Sequence, residues 1–88
     1  MIKGKTSSGF EFEISEDIIN DYELIENLGE LDDNPILLGK IVKQILGKEQ
    51  TTKIKDHIRN ENGMVPTDEM SQEIIEIFKN AGKETKNS

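Results

Sequence analysis

The residue types that carry most enzymatic chemistry are scarce in this chain. It has one histidine, His57, and no cysteine, so neither a thiolate nucleophile nor a Cys/His zinc site can be assembled from it. At helical spacing His57 is flanked by Lys53 and Glu61, the neighbourhood of a surface imidazole. Carboxylates are abundant, and residues 15 to 34 carry eight acids and no base. Two carboxylates can share general acid and base work, but so many along one helix length read as a solvated face. Asp32-Asp33-Asn34 opens like a calcium loop until Pro35 and the apolar run behind it remove the later ligands. In Asn60-Glu61-Asn62-Gly63 the first ligand position would fall on Ile58. No glycine pattern after a strand is built to cradle phosphate. The expectation is a non-enzymatic protein, with no catalytic, cofactor-binding or metal site, that works through its surface.

Charge says where that surface lies. The net charge is −7 over 88 residues, yet residues 35 to 59 carry six bases and two acids. A basic middle beside an acidic first helix predicts either internal complementarity or self-association. An acidic chain is repelled by phosphate backbones, which excludes nucleic acid as the expected partner. No stretch approaches the ~20 apolar residues that cross a bilayer, and Met-Ile-Lys-Gly-Lys at the front lacks the apolar region of a secretory signal. Mean hydropathy is −0.61, but Leu, Ile, Val and Phe number 24 of 88, above the roughly one-fifth below which chains stay disordered. Ten lysines to one arginine, with thirteen isoleucines and one alanine, suggest AT-rich coding DNA. A small acidic helical domain is also similar to the acyl carrier proteins, but Asn34-Pro35-Ile36 stands where the attachment serine would open the second helix.

These properties predict one α+β domain over residues 1–82, an N-terminal β-hairpin followed by about four helices, with 83–88 a flexible C-terminal tail. Residues 2–14 read as the hairpin, because Phe10, Phe12 and Ile14 alternate with Glu11 and Glu13 around a Thr-Ser-Ser-Gly turn at 6–9. The Lys3/Lys5 pair then lies across from the Glu11/Glu13 pair as opposite charges. Ser15 caps a helix over about 15–31, with Ile14 and Ile19 spaced as a hydrophobic staple and Ile18, Tyr22, Ile25, Leu28 and Leu31 facing inward. The central helix is 35–46, capped by Asn34 with Pro35 in its first turn, its apolar face widened by Ile36, Leu37 and Leu46. Gly39 within it predicts close approach of a neighbouring backbone, and Gly47 ends it with a positive φ. A thinner helix over 48–62 buries Ile54 and Ile58 and stops at Asn62-Gly63, after which Met64 and Val65 tuck against the core. Thr67 caps the last helix, 67–81, which buries Met70, Ile74, Ile77 and Ala81, is widened by Ile75 and Phe78, and ends at Gly82. One core is expected from Phe10, Phe12, Tyr22, Ile25, Leu38, Ile41, Val42, Ile45 and Phe78.

Four blocks carry a resemblance: Ser8-Gly9-Phe10-Glu11-Phe12-Glu13-Ile14, Leu46-Gly47-Lys48-Glu49-Gln50, Asp56-His57-Ile58-Arg59-Asn60-Glu61-Asn62-Gly63-Met64-Val65-Pro66 and Lys86-Asn87-Ser88. In this order and spacing the chain resembles the small tail assembly chaperones of long-tailed phages and prophages of Gram-positive bacteria. The likeness extends over nearly the whole chain, the first helix and Gly39 lying outside it. It implies a protein that binds the tape measure protein, keeps that long helical chain soluble, and hands it to the tail tube protein as the tube polymerises. Such a protein would act in the bacterial host cytoplasm and be absent from the finished virion. The family has no active-site fingerprint, so no partner-binding residue is assigned. Such chaperones are typically made in a short form and a longer, −1 frameshifted form. Thr85-Lys86-Asn87 permits the slippery reading ACA-AAA-AAC, and Ala81-Gly82-Lys83 permits G GGA AAG. The competing expectation is a small regulatory or antitoxin-like adaptor acting by stable protein binding, which gene neighbourhood distinguishes.

Overall fold

The computed structural model describes the backbone of residues 1–86 and the side chains of 1–83. An antiparallel hairpin of β1 (Ile2–Lys5) and β2 (Glu11–Ile14) precedes four helices, α1 (Glu16–Ile19), α2 (Tyr22–Glu30), α3 (Leu37–Ile58) and α4 (Thr67–Lys86). This is the expected α+β architecture. Strand register sets Lys3 opposite Glu13, Lys5 opposite Glu11 and Gly4 opposite Phe12. A side chain at Gly4 would begin 2.6 Å from the Phe12 ring, so the glycine lets the ring lie over the strand. At the turn Gly9 takes φ 95°, a conformation glycine adopts without steric cost.

Helix α3 is the axis of the core. Leu38, Ile41, Val42, Ile45 and Leu46 are buried along its first arm, and Ile54 and Ile58 along its second. They join Ile2, Phe10, Phe12, Ile14, Leu24, Leu31 and the Met70, Ile74, Ile77, Ala81 stripe of α4 in one cluster. Between the arms Gly47 has φ 76° and ψ 174°. The positive φ is as expected, but this ψ lies beyond the left-handed helical region, where essentially only glycine is found. Thr51 Oγ1 donates to the Gly47 carbonyl at 2.6 Å and Gln50 Nε2 to the Leu46 carbonyl at 2.9 Å, so two side chains of the second arm brace the bend.

Several expectations are corrected. The first helix is two, α1 and α2, because Asp21 leaves the helix in an extended conformation and its Oδ1 accepts from Glu23 N at 3.0 Å and Leu24 N at 3.4 Å. That restart rotates the inward face: Leu24 is buried, whereas Tyr22 is 72% and Ile25 47% exposed. Ser15 does cap α1, accepting from Asp17 N. Asn34 is not the cap of α3; its carbonyl accepts from Leu37 N at 3.0 Å in a turn that carries Pro35 and Ile36, and Ile36 is 89% exposed. The second arm of α3 stops at Ile58 rather than near residue 62, because Arg59 turns extended and Asn60 Oδ1 takes the amides of Asn62 and Met64. Val65 packs on the core, but Met64 is exposed. Thr67 is the first residue of α4, Ile75 is exposed, Phe78 is half-buried, and the helix continues through Gly82 to Lys86. Gly82 lacks a positive φ, and without it a glycine merely weakens a helix by about 1 kcal/mol instead of ending it. So residues 83–86 are helical rather than a tail; Asn87 and Ser88 lie outside the described residues. No helix is long and apolar enough to cross a membrane among the described residues.

Candidate functional site

The hairpin turn gathers the side chains nearest to a catalytic constellation. Glu73, buried on α4, accepts from Thr6 Oγ1 on one oxygen and Ser8 Oγ on the other, each at 2.8 Å. Ser8 Oγ also stands 3.1 Å from His57 Nε2, and the His57 ring tilts against Phe10 at 5.6 Å between centroids. Ser, His and Glu within hydrogen-bond reach have the types of a nucleophile triad. The proton order is the reverse of one. A nucleophilic serine donates to imidazole, and the acid holds the other ring nitrogen. Here the hydroxyl donates to Glu73, so His57 must serve as donor to Ser8, and among the described residues His57 Nδ1 has no hydrogen-bond partner. The cluster fastens the turn to α3 and α4. Glu76 extends the clasp, accepting from Ser7 N and, at 2.9 Å, from Ser7 Oγ.

Asp32 and Asp33 lie in the turn that closes α2, where Asp33 N and Asn34 N both donate to the Glu30 carbonyl. Asn60 to Gly63 form a side-chain-braced turn in which Arg59 Nη1 donates to the Gly63 carbonyl at 2.8 Å. Neither resembles a ligand cage, and among the described residues no three His, Asp or Glu side chains converge. His57 is exposed as expected, though engaged. Sequence reasoning missed Glu73, Glu76, Thr6 and Gln50. Glu73 was legible in principle: it sits three residues after Met70 and four before Ile77, so a carboxylate falls on the apolar stripe.

Among the described residues, two hollows are candidate binding surfaces. The larger, about 740 Å³, spreads over the outer face of the hairpin among Lys3, Lys5, Glu11, Glu13, Glu49 and Lys53. It is open space between the ends of long charged side chains. The smaller, about 290 Å³, lies in the angle of α3, lined by Leu38, Gly39 and Val42 from the first arm, Thr51 from the second, and Val65 and Met70. Lys43 and Lys55 stand on its rim. Comparison with known proteins finds no match: no family model, no curated protein and no solved structure. The site must be read from its own geometry. A Cβ at Gly39 would meet nothing within 4 Å, so the expected close backbone approach is absent; the bare glycine leaves the groove open. Exposed Ile36 and Met64 are the chain neighbours of its lining residues Pro35 and Val65. Apolar floor, apolar shoulders and a cationic rim fit an amphipathic helix with acidic flanks.

Proposed function

We propose that this chain is a tail assembly chaperone of a long-tailed phage or prophage, which binds the tape measure protein, keeps it soluble while the tail is built, and performs no catalysis. The groove at the bend of α3 is the observation that carries the reading. A long helical client bares an apolar stripe until its tube closes around it, and a helix laid in a groove is how such a stripe is covered reversibly. The net charge of −7 over the whole chain keeps the complex dispersed.

The quoted sequence blocks supply the choice of client, since a groove alone does not name one. Three of those blocks meet in space, through Ser8 with His57 and through Glu13 with Gln50. On this reading the chain acts in the bacterial host cytoplasm, hands its client to the tail tube protein, is left out of the virion, and needs no cofactor, nucleic acid or membrane. A −1 frameshift would add a longer form; a gene with no slippery heptamer at either quoted position would remove that part of the scheme. The test of the main reading is co-expression with a tape measure protein, which this reading expects a very long downstream gene to encode. Its soluble fraction should rise with the chain present and fall back with Gly39→Phe, which fills the groove. A client equally insoluble in all three cultures overturns the proposal.

A further inference from the structure

Two features left over by the fold are complementary. Helix α2 turns Tyr22 and Ile25 to solvent, 72% and 47% exposed. They lie three residues apart on one face, beside Glu26 and with Gly29 one turn on. The exposed carboxylates Glu23, Glu26 and Glu30 surround that face. The groove offers the opposite: an apolar floor under Lys43 and Lys55. The ion pairs among the described residues are the Met1 amino group with Glu16 and Arg59 with Asp56, so among those residues neither the acids of α2 nor the groove lysines are matched.

We infer that the groove of one copy receives helix α2 of a second copy, with Tyr22 and Ile25 on its floor and the α2 carboxylates against Lys43 and Lys55. At nine residues, α2 is a short element of about 13 Å at 1.5 Å per residue. Gly29 on the helix and Gly39 in the groove permit close approach of the two backbones. Because donor and acceptor surfaces differ, the contact is head-to-tail, and each copy keeps one surface free for the next. One short helix face covers far less than the ~800 Å² per partner of a stable complex, so the contact is weak and exchanges readily. Resting on the proposed function, and only there, is the corollary that a client helix displaces α2, the chain shielding its own groove until a client arrives.

Sedimentation equilibrium of the chain alone, without any client, tests self-association separately from the chaperone reading. At low salt the weight-average mass should exceed the 10.0 kDa of one chain and rise with concentration. In ~1 M salt, where the screening length is ~3 Å, it should fall towards one chain. Ile25→Ser and Gly39→Phe act on an exposed side chain and an open position, so circular dichroism should report native helix content while association is lost. Glu23→Lys/Glu26→Lys and Lys43→Glu/Lys55→Glu should each weaken association about tenfold, and an equimolar mixture of the two should associate again. A monomer at every salt and concentration overturns the inference. So does association that survives Ile25→Ser and Gly39→Phe, or a mixture that stays monomeric.

Discussion

Replacing Glu73 by alanine removes the acceptor on which the hairpin turn is hung. The carboxylate is 7% exposed, and its donors differ in burial: Thr6 is 4% exposed, whereas Ser8 is exposed. Each hydrogen bond to a charged group contributes roughly 1.5–3 kcal/mol. Ser8 regains water when its partner goes, and Thr6 Oγ1 keeps only its contacts with Ser8 Oγ and Phe10 N. The net loss is therefore about 2–3 kcal/mol, dominated by the threonine. At roughly 0.05–0.15 kcal/mol per residue, an 88-residue chain has about 4–13 kcal/mol in all. With an m-value of about 1 kcal/mol/M, the urea midpoint should drop by about 2–3 M without a change in slope. Removing one carboxylate from an acidic chain also relieves repulsion, so Thr6→Val and the double variant are measured alongside. The cycle should return a coupling of about 1 kcal/mol or more. A loss within the ~0.5 kcal/mol of an ordinary surface change, or no coupling with Thr6, would mean that Glu73 does not hold the turn.

Ile41, fully buried, should cost about 2–5 kcal/mol as alanine, read as a melting-temperature drop that no surface variant of the same helix shows. Leu24→Ala should be comparably severe, while Ile25→Ala at 47% exposure should stay below about 1 kcal/mol; the reverse order in urea melts would restore the unbroken first helix. Gly39→Ala should stabilise by up to about 1 kcal/mol from helix propensity, raising the melting temperature by about 4–8 °C in a chain this size. Gly47→Ala should lose about 1–3 kcal/mol from backbone strain, and an unchanged denaturation midpoint would show that the bend is not fixed there.

The parts of this fold that sequence reached are those governed by local chemistry. Alternation around Phe10 and Phe12, the cap at Ser15 and the glycine break at 47 each follow from a few neighbouring residues. The miss at Asn20–Asp21 has a definite cause. In a segment with eight acids, Asp21 reads as one more solvated carboxylate, although its Oδ1 restarts the helix. The consequence propagates, because a restarted helix has a new phase and every inward position of α2 shifts with it. The same holds for Asn60, whose side chain outcompetes helix propagation four residues before the expected stop. The groove was illegible for another reason: it is made by an angle between two arms, and no local pattern records that angle. Gly39 was the residue to notice, and its openness has the opposite meaning from the close contact it first suggested.

Gln50 has a consequence for what this surface can hold. Its side-chain amide donates to the Glu13 carbonyl at 2.6 Å and accepts from Glu13 N at 2.7 Å, copying the two bonds a third strand would make. The outer edge of β2 is thereby closed from within at that residue. A strand seeking that edge must first evict an amide that is already bonded there and also held to Leu46. A helix brings its own backbone bonds already made and asks nothing of the edge. One glutamine thus discriminates by secondary structure at that edge: an extended segment finds the backbone groups of Glu13 already taken, whereas a helix has no need of them.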